Sequence, residues 1–116
     1  MNGKGSDIFE IREYMVVLRQ LERMDVDGQE ILLRGIVRCL GDSAMLDVYF
    51  LEEGSPFPQP QVNLEERKGS IYLPFRDISV LVDLLRNEKP VYAHLRTDRL
   101  AWTSITTNRE PVGEGE

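Results

Sequence analysis

Two pairs of side chains set the chemistry this sequence could perform. Arg34 and Arg38 recur on one side of an alternating segment, and Tyr49 and Tyr72 fall at the same phase of two later ones. Arg67 and Lys68 stand at the entrance to the segment carrying Tyr72. If the three segments are neighbouring strands, cations and aromatic rings share one sheet face with Ile36. That combination holds phosphates and stacks unpaired bases. The same positions also suit an ordinary solvated face, or a homodimer face built on the tyrosines and Ile36, and Asp47 in their midst weakens the positive field.

Covalent chemistry has far less support. Ser104, Thr106 and Thr107 follow Trp102, and His94 could serve as a base, but no nucleophile elbow, phosphate loop or His-carboxylate spacing accompanies them. Asp25, Asp27 and Gly28 imitate part of a calcium loop. The first and last ligand positions of that loop would fall on Arg23 and Arg34, so a tight turn is the better reading. With one cysteine, Cys39, and one histidine, a single chain cannot assemble a zinc site, and Cys39 in an apolar strand reads as a small core residue. The expectation is a binding protein that is not an enzyme and carries no cofactor.

The element that must position these groups is the stretch 67–96, read as strand, helix, strand. Ile78, Leu81, Val82 and Leu85 form a helical stripe, widened by Val80 and Leu84, between Pro74 and Pro90. The helix is expected over about 75–88. Ile71, Leu73 and Phe75 before it, and Val91, Ala93 and Leu95 after it, alternate as in half-buried strands.

Upstream, residues 8–24 allow either helix or strand. The Asp27-Gly28 pair of a hairpin turn favours strand over 13–24, answered by a strand through Ile31, Leu33, Gly35, Val37 and Cys39. Gly41-Asp42-Ser43 turns the chain into a third strand, Ala44 to Leu51, antiparallel to the second. Residues 52–66, with Pro56, Pro58 and Pro60, read as a stiff loop, and Leu100 to Thr107 as a last strand with Trp102 largely buried. Residues 1–6 and 110–116 are expected to be disordered, leaving a single domain over 7–109.

The chain has 116 residues, 41% of them hydrophobic, which suits one core. Its net charge of −6 is uneven: residues 41–66 hold six acidic and no basic side chains, while 67–109 hold eight basic against four acidic. No apolar run could span a bilayer, and no apolar leader follows the polar start, so a soluble, cytoplasmic protein with no membrane partner is expected.

The order of meander, polar loop, Arg67-Lys68-Gly69, short strand, Leu73-Pro74 and amphipathic helix resembles, over about 30–88, transcriptional coactivators of the positive-cofactor type and the related Pur and Whirly-like modules. Those are small dimeric proteins with a curved antiparallel sheet that bind single-stranded nucleic acid. The resemblance implies that Arg67 and Lys68 contact phosphates.

The fold expected is α+β: one domain with a mostly antiparallel sheet of about five or six strands and one amphipathic helix across a face. Its core should hold Leu33, Val37, Leu46, Val48, Ile71, Leu73, Leu81, Val82, Leu85, Val91 and Leu95. The expected function is a homodimeric module that holds single-stranded nucleic acid on Arg34, Arg38, Tyr49, Arg67, Lys68 and Tyr72. The alternative is a protein-interaction or structural module that meets its partner through the sheet face or the proline loop.

Overall fold

Alternation of apolar and polar residues dominates the sequence, and strands dominate the structure, a computed structural model that describes residues 5–107. Eight strands run in chain order: β1 (Ser6–Glu10), β2 (Glu13–Val26), β3 (Gln29–Gly41), β4 (Ala44–Leu51), β5 (Gln61–Asn63), β6 (Lys68–Pro74), β7 (Val91–Arg96) and β8 (Ser104–Thr107). One helix, α1 (Ile78–Asn87), follows a 3-10 turn at Phe75–Asp77. The mostly antiparallel α+β architecture is the one expected. The strands, however, number eight and divide into two sheets, ordered β2-β3-β4-β6-β5 and β1-β7-β8, with β4 and β6 the parallel pair.

The turns form where the sequence places them. Asp27 and Gly28 both take positive φ, 50° and 80°, as a two-residue hairpin joining Val26 to Gln29 requires. Strand β2 therefore covers the segment 13–24 expected to be extended. Residues 52–66 are not wholly loop, because Gln61–Asn63 pair with β6. Ser55, at the start of the proline stretch, is buried, and its Oγ accepts a hydrogen bond from the Leu32 amide at 3.0 Å. It thereby occupies a ladder position that β4 has vacated.

The main core lies between the two sheets. Val37, Cys39, Leu46, Val48, Phe50 and Ile71 from the larger sheet meet Phe9, Ala93 and Leu95 from the smaller one, and Leu81 of α1 closes one side. Of the core residues expected from the sequence, Leu33 packs in a second cluster, Val91 is buried but belongs to neither, and the others pack here, with Leu73, Val82 and Leu85 only partly buried. Val80, counted with the helical stripe, instead faces out at the rim. The sheets approach closely at Gly69, where an added Cβ would lie 2.9 Å from Leu95.

That second cluster follows from an irregularity in β3. Relative to β4, β3 carries one extra residue, Arg34, because Leu33 pairs with Leu51 while Gly35 pairs with Phe50. Opposite it, β2 shifts by two residues between Leu18 and Glu22. Side chains alternate along a strand, so one inserted residue moves all that follow to the other face. Val37 and Cys39 therefore enter the main core, while Ile31 and Leu33 pack on the opposite face with Leu51 and Tyr72. The hairpin tip bends over that face, and Gln61 Nε2 on the far strand β5 donates to Asp27 Oδ2 at 2.9 Å.

Several terminal expectations change. Of residues 1–6, expected to be disordered, the first four lie outside the described residues, while β1 starts at Ser6 and pairs with β7, and the Gly5 carbonyl accepts the Thr97 amide at 2.8 Å. Leu100–Trp102 is a 3-10 turn, so the last strand is shorter than expected. Trp102 is 56% exposed rather than buried. The Arg99 and Arg96 guanidiniums lie 4.6 and 5.4 Å from its ring centre, so its apolar surface is partly covered by cations. The acidic tail lies outside the described residues. No helix among those described is long and apolar enough to cross a membrane.

Arg34 holds the irregularity in place. Its Nη1 donates to Glu52 Oε1 at 2.6 Å, its guanidinium lies 4.4 Å from the Phe75 ring centre, and its Nε makes a long 3.4 Å bond to the Arg19 carbonyl within the β2 shift. Arg34→Ala should lower unfolding stability by about 1–2 kcal/mol in denaturant titration. Arg34→Lys should recover little of it, because an ammonium cannot reproduce the planar fork and ring contact. A full rescue by lysine would show that charge alone matters there.

Candidate functional site

The six residues singled out in the sequence do not form one basic surface. Strands β3, β4 and β6 are neighbours as supposed, and Arg38, Tyr49 and Tyr72 do lie on the same sheet face, with Arg38 opposite Asp47 and Tyr49 in register with Ile36 and Tyr72. The folded hairpin covers part of that face. Tyr72 is buried in the second cluster, Tyr49 packs against it, and their rings stack at a tilt with centres 5.4 Å apart. Tyr72 OH donates to Gln61 Oε1 at 3.1 Å, and Gln61 in turn bonds Asp27. The rings thus serve as a cap to a small core.

Each arginine of the set is already engaged by a carboxylate. Arg38 meets the buried Asp47 through two hydrogen bonds of 2.8 and 3.0 Å. That hydrogen bonding, reinforced by the charge of Asp47, raises the guanidinium pKa. Arg67 sits at φ 57°, binds both oxygens of Asp7 on β1 at 2.7 and 3.3 Å, and donates to the Asp42 carbonyl at 3.2 Å. It ties the two sheets and the β3-β4 turn together. Arg34 is held as described above, on a different part of the surface. Lys68, well exposed and 3.8 Å from Glu66, is the loosest of the group.

His94 faces Ser104 across β7 and β8 and Ile8 across β1, but no side-chain hydrogen bond joins His94 to Ser104. Among the described residues no cluster of three His, Cys, Asp or Glu side chains could hold a metal ion. An open groove of about 450 Å³ runs between α1 and β8 over Ile71, Leu73 and Ile105, with no titratable group but Asp77 at its edge.

The feature that sequence reasoning passed over is the outer edge of β2. This 14-residue strand is the edge of the larger sheet, with β3 on one side only. Met15, Val16, Leu18 and Leu21 are all exposed along it, Leu18 at 69%. The signal was present: Tyr14 to Leu18 is apolar without alternation, more than a half-buried strand needs. Natural sheets commonly protect such an edge with charge, proline or a covering element. Here the described residues supply only the bulge and the polar stretch around Arg19, Glu22 and Arg23.

Comparison with protein-family models, curated proteins and solved structures finds no match for the chain.

The buried titratable groups give a pH signature. Desolvation pushes the Cys39 thiol up to about 12 from 9.0, and burial, with Tyr49 and Asp27 adding, pushes the Tyr72 phenol up to about 12 from 10.0. Both ionise in the unfolded chain before the folded one, so their contribution is complete below pH 9 and is lost as pH rises toward 12. Urea midpoints should therefore fall steadily over that range, and less steeply in Tyr72→Phe. Equal slopes in the two proteins would contradict a protected phenol.

Proposed function

We propose that the chain is a non-catalytic protein-interaction module whose contact element is the free edge of β2. A partner strand laid along β2 would satisfy its outward N–H and C=O groups by strand addition, while side chains at alternate positions supply selectivity. The observation that carries this reading is a long edge strand with four exposed large apolar side chains. Large apolar side chains left exposed on both faces of an unpaired strand edge favour strand addition over a solvated edge.

Binding of single-stranded nucleic acid is the competing reading. It would require Arg34, Arg38 and Arg67 to exchange carboxylates at 2.6 to 2.8 Å for phosphates, and Tyr72 to leave a packed cluster. Breaking the Arg38–Asp47 pair would leave a buried carboxylate without its partner, a cost of about 3 kcal/mol or more. The net charge of −6 also opposes long-range attraction of a polyanion.

A photoreactive benzophenone amino acid at position 18 or 21, activated in intact cells, tests the proposal. Protein adducts of discrete mass are expected from both positions and not from Asp83 on the outer side of α1. Adducts no more frequent than at Asp83, or adducts dissolved by nuclease, would overturn it. In parallel, labelled single-stranded DNA should show no saturable anisotropy change near physiological salt. Saturable binding weakened by Lys68→Glu would favour the nucleic-acid reading instead.

A further inference from the structure

We infer that the strand added to β2 is β2 of a second copy of this chain, antiparallel about a two-fold axis at Leu18. This rests on the reading of β2 as the contact edge and names its partner. Two copies joined in this way form a closed dimer, because each gives and receives the same contacts. The two five-stranded sheets would become one sheet continuous across the axis.

The register follows from the residues on the edge. With the axis at Leu18, and the outer edge of β2 paired residue for residue through its shift at 18–22, that residue meets its own copy, Met15 meets the partner's Leu21, Val16 meets the partner's Gln20, and Glu13 meets the partner's Arg23. Leu18 then meets its own copy on one face of the joined sheet, and Met15, which points to the opposite face, meets the partner's Leu21. The charge pair occurs twice by symmetry. Glu13 forms no ion pair among the described residues, and Arg23 reaches Glu30 only at 3.6 Å, with both side chains more than 60% exposed. Arg23 is therefore free to bridge to a second carboxylate.

Neighbouring registers lose this match. An axis at Val17 sets Glu13 against Leu21 and Met15 against Arg19. One at Arg19 sets Glu13 against Asp25, two like charges opposite each other, which is destabilising in a sheet. An axis between Gln20 and Leu21 pairs Arg19 with Glu22, residues already joined within one chain at 3.4 Å, and leaves Leu18 against Arg23. Only the Leu18 axis among these sets all three of the exposed Leu18, Met15 and Leu21 opposite apolar residues and pairs an acid with a base that are not already joined within one chain.

Sedimentation velocity of the purified full chain, at concentrations up to about 100 μM, tests the inference. The wild type should dimerise with rising concentration. Leu18→Arg, at a position exposed in the monomer, should weaken the dimer at least about tenfold with unchanged circular dichroism. Glu13→Arg should weaken it by about tenfold, from two like-charge pairs, and Glu13→Arg combined with Arg23→Glu should restore it. Under mild oxidation Leu18→Cys should link to itself, while Leu21→Cys should link only when mixed with Met15→Cys. A monomeric wild type overturns self-pairing, and discrete adducts to a different protein from positions 18 and 21 would then leave the edge reading standing. A dimer indifferent to Leu18→Arg overturns the β2 interface, and Leu21→Cys linking to itself overturns the register.

Discussion

One inserted residue, Arg34, decides what each face of the larger sheet does. Had β3 run regularly against β4, Ile31, Leu33, Val37 and Cys39 would all point the same way, leaving Leu32, Arg34, Ile36 and Arg38 for the opposite face. The insertion sends Val37 and Cys39 into the core between the sheets, and Ile31 and Leu33 to the other side with Leu51 and Tyr72. Strands β3, β4 and β6 each contribute to both cores, and β4 between them is buried on both faces over much of its length. The Arg34 contacts to Glu52 and Phe75 lie at the point where that exchange occurs.

The consequences reach the surface. Because the hairpin tip bends toward β5, Tyr49 and Tyr72 become a lid for the second cluster, and the cations near them are drawn to Asp47, Glu52 and Asp7. The face that could have bound an anion is largely neutralised and partly covered. The shift in β2 opposite Arg34 leaves that strand extended but with its apolar residues uncovered. One packing solution thus accounts for both the quiet basic face and the bare edge.

Local features were legible from the sequence. The Asp27-Gly28 hairpin, the meander through β4, the helix between Pro74 and Pro90 and the burial of Cys39 each depend on neighbouring residues and a simple period. What was not legible depends on distant partners. Nothing near Arg67 announces that Asp7, sixty positions away, will take both hydrogen bonds of its fork. Strand β1 is short and finds its register only once β7 is in place. Trp102 was expected inside on account of its size, but a 3-10 turn carries it outward beside Arg99. The β2 edge falls between these cases: its excess of apolar residues was visible, but its position at the rim of the sheet was not.

Amide hydrogen exchange along β2, followed residue by residue as the protein is concentrated, tests the account most directly. In dilute solution, amides directed toward β3 should exchange slowly and alternate with fast ones directed outward. The outward amides around Leu18 should then slow as concentration rises. Outward amides that are already slow in the dilute monomer, or that stay fast while protection grows along α1 or the proline loop, would contradict the assignment of β2 as the contact edge.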